Sequence, residues 1–350
     1  MRAAGRLVRS VVVFLALATA LAAQARVPAT SWFMARTDDG VLIALTRFAP
    51  PEPSKTPPIV CFPELVADAR AFGEADHGGL APALARRGFD VWVVDFRGQG
   101  KSQAWSPRDR EDWTFDDLAL RDVPAAVAAV RERTGASRVT LLGHGIGGTA
   151  ALVATATGAV RDVQALILLA APAGWRQPSD ALRLLADRVA ALKDASRVPV
   201  RDSVRAPSPF PATGEPFLDL LLWQPANVPE GTRRHFLAVG LNDFPAGVGR
   251  QLARWVATGR FDGEDGADYL PLLARVTAPT LALAGNLDVL APPPDVIRGF
   301  DALGSPDKTL RILSPFGGAA LDAGHFDILL GARAGREVFD RVAAWLAARR

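Results

Sequence analysis

A chain of 350 residues, 49% of them hydrophobic, can bury a large core and suits one big α/β domain with an inserted subdomain better than several small domains. Its 40 basic side chains, less the three arginines of the first 25 residues, leave 37 against 37 acidic ones, so the high isoelectric point says little about partners. No basic stripe interleaved with aromatics is present, which gives nucleic-acid binding no support, and the single cysteine excludes an internal disulfide.

Arg2, Arg6 and Arg9 precede an apolar run from Val11 to Ala23, and Ala23-Gln24-Ala25 fits a small-x-small cleavage site. The run is too short to span a bilayer comfortably, so residues 1–25 read as a signal peptide. The mature protein is then exported to the periplasm or beyond, beginning near Arg26, with membrane contact only through the leader. Ser31–Thr37 and Val41–Phe48 alternate around Asp38-Asp39-Gly40, a hairpin pattern. After a proline-rich linker, Ile59–Phe62 is a continuous apolar run of the kind buried on both faces. A short helix is predicted over Leu80–Arg87, a strand over Val91–Asp95, and a long helix from Phe115 to Arg133, stopped by Gly135. Val139–Leu142, Ile146–Thr157 and Val163–Ala171 continue as strand, helix and strand.

This alternation predicts a doubly wound, mostly parallel sheet with right-handed crossovers. It breaks from about Gly174 to Val276, where helical stretches and proline-rich turns replace buried strands. Strand signal returns at Thr280–Ala284 and near Leu310–Leu313, and a last helix covers Arg336 to Arg349. The expected organisation is a core of residues 26–174 and 277–350, interrupted by a mainly helical cap over 175–276.

The informative segment runs from Val139 to Gly148, a buried strand turning through glycines straight into a helix. Gly143, Gly145 and Gly148 match the dinucleotide fingerprint literally, but the following strand ends in Leu168-Leu169-Ala170-Ala171 without the carboxylate that would hold a ribose. No cofactor is expected on that ground. Four scattered histidines make no metal site either. The other reading of Gly143-His144-Gly145-Ile146-Gly147 is a nucleophile elbow, in which the middle residue projects from a strained turn above the sheet.

The rest of the chain agrees with the elbow, and from Val27 onward it resembles the α/β-hydrolase superfamily. The segment from Asp95 to Ser102 looks like the loop after the fourth strand. Asp122-Val123-Pro124-Ala125 is similar to a helix start in acid-lipase-like members. The segment Gly285 to Pro292 resembles the loop carrying the catalytic acid, and Gly324-His325-Phe326-Asp327 the histidine loop before the last helix. The resemblance implies esterase or lipase ancestry, with His325 as general base and Asp288 orienting it. Backbone N–H groups of Ile146 and Leu65 would form the oxyanion hole. Asp288 also has a plainer reading as a cap before the helix that starts near Pro292.

Two positions depart from the pattern. Gly145 stands at the nucleophile position and has no side chain, so it cannot form an acyl-enzyme. Where members often carry His-Gly after the third strand, this chain has Phe62-Pro63-Glu64-Leu65, which sets a carboxylate near the oxyanion. Ser102 reads as a structural loop residue and Cys61 as an inert strand residue. The expectation is a nucleophile-deficient hydrolase homologue that binds a small apolar or acyl ligand beneath its cap. Phe210, Phe217, Leu220, Leu221, Leu222 and Trp223 are candidates either for lining that pocket or for packing the cap on the core. Two alternatives stay open: hydrolysis by a water that His325 and Asp288 activate, and a non-catalytic interaction role. Gly145→Ser is expected to install an esterase if the remaining groups are aligned.

Overall fold

The computed structural model describes residues 28–73, 78–102, 113–201, 219 and 221–349. The leader segment, His77, Ser203, Ser208, Phe210, Phe217 and Leu220 lie outside them.

The hairpin β1 (Ala29–Arg36) and β2 (Leu42–Ala49) forms as expected and pairs antiparallel. It joins an eight-stranded sheet in the order β1-β2-β4-β3-β5-β6-β9-β10. The further strands are β3 (Ile59–Phe62), β4 (Val91–Asp95), β5 (Val139–His144), β6 (Val163–Leu169), β9 (Thr280–Gly285) and β10 (Lys308–Leu313). From β4 to β10 all neighbours are parallel. The mostly parallel sheet read from the sequence is therefore present.

The continuous apolar runs are explained by burial on both faces. On β3, Val60 and Phe62 enter one core with Val94 and Leu141, while Ile59 and Cys61 enter the other with Val93 and Leu142. Adjacent residues point to opposite faces, so each strand must be apolar twice over.

Helices cover both faces: α1 (Leu80–Arg86), α2 (Val123–Thr134), α3 (Ile146–Thr157), α4 (Asp180–Ala190), α5 (Ala246–Thr258), α6 (Pro293–Ala302) and α7 (Asp340–Ala347). The long helix predicted from Phe115 is not uniform. A wide turn over Leu118–Asp122 precedes α2, where Pro124 has no N–H to give to an earlier carbonyl. A similar wide turn, Gly335–Phe339, leads into α7.

Between β6 and β9 the chain leaves the sheet. Helices dominate there, with a two-residue ladder, β7 (Arg197–Val198) against β8 (Phe244–Pro245), that no apolar run announces. Leu221, Leu222 and Trp223 are buried in the core cluster that also holds Phe326 and Leu329, so they pack this insertion onto the histidine loop. The Phe326 N–H donates to the Leu222 carbonyl at 2.7 Å. No described helix is long and apolar enough to cross a membrane.

Candidate functional site at the strand ends

In a parallel sheet, chemistry gathers at the carboxyl ends of the strands. Four such ends converge here: β3 runs into Glu64, β5 into Gly145, β9 into Asp288 and β10 towards His325.

Gly145 bridges β5 and α3 with φ 53° and ψ −125°, a backbone conformation that side chains rarely adopt. At Gly147, two residues on, an added Cβ would run into the Phe62 and Pro63 carbonyls, so a side chain there would drive the helix off the β3 loop. That close approach brings the loop carrying Glu64 over the start of α3.

Asp288 does not cap α6, whose N-cap is Pro292 without a side-chain bond, but it holds both the loop before that helix and the His325 ring. Its Oδ1 accepts from the Leu290 and Ala291 N–H groups at 2.9 and 2.8 Å, fixing the loop before α6. Its Oδ2 accepts from His325 Nδ1 at 2.8 Å. With Nδ1 so held, His325 turns Nε2 towards the elbow.

What meets it there is Glu64. Its Oε2 lies 3.3 Å from His325 Nε2 and accepts the Ile146 N–H at 2.7 Å. A Cβ built on Gly145 would fall on top of that oxygen and 2.9 Å from His325 Nε2. The carboxylate thus occupies the space of an elbow side chain and holds one of the two predicted oxyanion donors. The other, Leu65, is buried, and its N–H has no hydrogen bond among the described residues. Glu64 Oε1 likewise accepts no hydrogen bond there, yet is not among the polar atoms sealed from solvent.

These groups are charged together. Burial works against an imidazolium at His325, but the Asp288 and Glu64 carboxylates outweigh it and push the ring up to about 10. Burial would also raise Glu64, but the His325 hydrogen bond and charge, with the Ile146 N–H, hold it below the ordinary carboxylate value. The resting state is a buried carboxylate–imidazolium–carboxylate row. An imidazolium has no lone pair, so His325 in this state is an acid and not a base.

His144 takes the opposite form. Burial and the neighbouring His325 charge push it down to about 3, so it is a neutral ring. Its Nε2–H donates to the His325 carbonyl at 3.0 Å, and the two ring centroids lie 4.5 Å apart. It braces the histidine loop from below.

The Glu64 loop is held from two sides. Gln99 Nε2 donates to the Leu65 carbonyl, and Asn242, from the insertion, donates its N–H to the Val66 carbonyl at 2.7 Å. Asn242 Nδ2 donates to Asp68 Oδ2 at 2.9 Å, and its Oδ1 accepts the Gly100 N–H at 3.3 Å. Ser102 is structural: its hydroxyl donates to the Asp95 carbonyl and accepts the Ala44 N–H. Arg97, wholly buried, pairs with Asp122 and Asp39, tying the β4 loop to α2 and the hairpin. Cys61 is sealed in β3, where burial pushes its thiol up.

Among the described residues no group of three or more His, Cys, Asp or Glu could hold a metal ion. A cavity of about 360 Å³ lies elsewhere, lined by Arg176, Pro178, Arg183, Val256 and Arg298, and includes none of the four groups above.

The sheet order and strand-end elbow define an α/β-hydrolase fold. A family model described as "alpha/beta hydrolase fold" matches residues 57–198. Human lipase member K is 31% identical over 132 residues, covering 35% of this chain and 33% of that protein. A putative lysosomal acid lipase/cholesteryl ester hydrolase of Crotalus adamanteus is 32% identical over 129 residues, covering 34% and 32%. The chain thus matches about a third of the length of these relatives. Among solved structures, an esterase from Exiguobacterium antarcticum superposes with TM-score 0.62 at 18% identity, over 90% of this chain and 98% of that one. The monoacylglycerol lipase of Paleococcus ferrophilus gives 0.60 at 17%, over 87% and 98%. The solved structures thus share the fold of this chain, and the family model and the lipases match part of its length.

Glu64 is the residue whose role sequence reasoning missed. The available signal was its place after the third strand, and that marked a disturbed oxyanion loop, not a third member of the site.

Proposed function

We propose that this protein has given up serine-type acyl transfer and keeps a rebuilt centre of Glu64, His325 and Asp288 that receives a small apolar or acyl ligand. One observation carries the reading: Glu64 Oε2 sits on the Ile146 N–H and against His325 Nε2, in the space of the missing elbow side chain. A substrate carbonyl oxygen would have to displace a buried, charge-paired carboxylate to reach that donor. The lipase and esterase likenesses support an apolar or acyl ligand, as do the apolar neighbours Leu65, Ile146 and Phe326. Water activation by the His325–Asp288 pair loses support, because the base it requires is already protonated.

The test is a fluorophosphonate probe with p-nitrophenyl butyrate as reporter. The wild-type protein is expected to take no label and to show no burst. A labelled hydroxyl anywhere in the chain would end the proposal.

We further propose export, which the Arg2–Ala25 pattern supports. N-terminal sequencing of protein from the periplasm or medium is expected to begin near Arg26, and an intact Met1 would count against it.

A further inference from the structure

We propose that the cavity where α4, α5 and α6 meet is a binding site for a small phosphate monoester with an apolar stem. The site is separate from the strand-end centre and does not depend on how that centre works. Arg176 lines it from the chain that leaves β6, Arg183 from α4 and Arg298 from α6, while Pro178, Val256 and Leu270 add apolar wall. Three cations therefore share one hollow of about 360 Å³, a size that suits a small organic molecule.

Like charges gathered in one hollow repel, and other arginines of this fold are offset by carboxylates: Arg97 by Asp122 and Asp39, Arg47 by Asp90, Arg349 by Asp307. These three are not. Among the described residues none of their side chains makes a hydrogen bond or an ion pair, and Arg298 Nη1 is buried without a partner. A buried N–H left unmade costs free energy, which an oxyanion entering the hollow would return. None of the residues lining the cavity is acidic. Asp295, three residues before Arg298 on α6, accepts the Arg176 main-chain N–H on Oδ1 at 2.9 Å and pairs with none of the three guanidinium groups. Its carboxyl can cancel at most one charge, so at least two positive charges stay in excess.

That excess selects the ligand. A phosphate monoester is a dianion above about pH 6 and offers three terminal oxygens, enough for more than one guanidinium fork to bind in pairs. A carboxylate brings one charge and two oxygens, and would leave part of the excess unmet. Val256, Leu270 and Pro178 offer no side-chain donor or acceptor, so they suit the stem. The walls are fixed before any ligand arrives. Trp175 Nε1 donates to the Leu290 carbonyl at 2.7 Å, and the Ser179 hydroxyl donates to the Val289 carbonyl at 3.3 Å and accepts the Leu182 N–H at 3.2 Å. These bonds seat Arg176 and the first turn of α4 on the core, so little ordering of the backbone is left for the binding step.

The experiment is isothermal titration of the full chain with n-butyl phosphate and, separately, with butyrate, in low-salt buffer at about pH 8, where the phosphate is a dianion. One butyl phosphate is expected to bind with a dissociation constant below about 1 mM, and butyrate about tenfold more weakly or worse. Arg176→Gln, Arg183→Gln and Arg298→Gln should each weaken butyl phosphate by about tenfold or more. Arg298→Lys, which keeps the charge but not the fork, should bind between wild type and Arg298→Gln. Arg341→Gln, at an exposed position on α7 outside the cavity, should leave the affinity unchanged. Arg176 and Arg183 are exposed, so their variants carry the test if a change at Arg298 prevents folding. Absence of butyl phosphate binding, equal binding of butyrate, or unchanged affinity in the glutamine variants overturns the inference. Loss of binding in Glu64→Gln also overturns it, since the ligand would then sit at the strand-end centre.

Discussion

Gly145→Ser alone is expected to leave p-nitrophenyl ester hydrolysis at background, whereas Glu64→Ala combined with Gly145→Ser is expected to raise it by on the order of a thousandfold. The new Cβ would fall on Glu64 Oε2, and the serine would have to adopt φ near 53°, itself a cost of about 1–3 kcal/mol. With the carboxylate still seated on the Ile146 N–H, even a well-placed hydroxyl would have no donor for its oxyanion. Removing Glu64 frees the space, the donor and His325 Nε2 together. It also lowers the affinity of the imidazole for its proton, since one of two neighbouring carboxylates is gone. Alanine suits position 64, whose backbone is not among those with positive φ. The measurement is steady-state hydrolysis of p-nitrophenyl butyrate by the three proteins, with circular dichroism to establish folding. An active Gly145→Ser single variant would show that Glu64 yields readily, against the tight seat described above. This revises the expectation drawn from the sequence, where one substitution was enough.

The second large effect concerns stability. His325→Ala is expected to destabilise the fold by about 3–5 kcal/mol, because it leaves the Glu64 and Asp288 carboxylates buried without their shared cation. Adding Glu64→Gln to that variant should recover part of the loss, and a denaturant series on all four proteins measures the coupling. The pH profile follows from the same row. His325 is raised from 6.5 to about 10 by folding, so its contribution is full below about pH 6.5 and disappears as pH climbs through about 10. Glu64 is lowered from 4.5, so its contribution is present above that value and is lost as acid protonates it. Wild-type stability should therefore hold a plateau through neutral pH and fall on both sides. In His325→Ala the alkaline fall belonging to this ring should vanish. Retention of an unchanged alkaline limb would show that the imidazole is neutral in the folded protein.

The fold was legible because its strands announce themselves. A run such as Ile59–Phe62 or Val91–Asp95 has to be apolar at every position when both faces are covered, and no surface segment mimics that for long. The elbow was legible for a related reason, since the glycines around Gly145 answer to close backbone approach and positive φ. Asp288 and His325 were legible as a pair through their loops. Glu64 was not, because its meaning depends on a contact with a residue 261 positions away. A chain read in order shows a carboxylate out of place but not the cation it faces. The same limit hid Arg97 and Asp122: an arginine in a loop and an aspartate before a helix look solvated until burial puts them together. The wide turn before α2 was hidden for another reason, since apolar periodicity does not register one extra residue in a turn.

Asn242 joins the insertion to the Val66 carbonyl, to Asp68 and to the Gly100 N–H within one side chain and its own N–H. The segment bearing Glu64 is consequently clamped between the sheet and the insertion, like a jaw gripped at both hinges. A rigid-body swing of the insertion would drag residues 64–68 with it and retune the carboxylate's alignment with the imidazole.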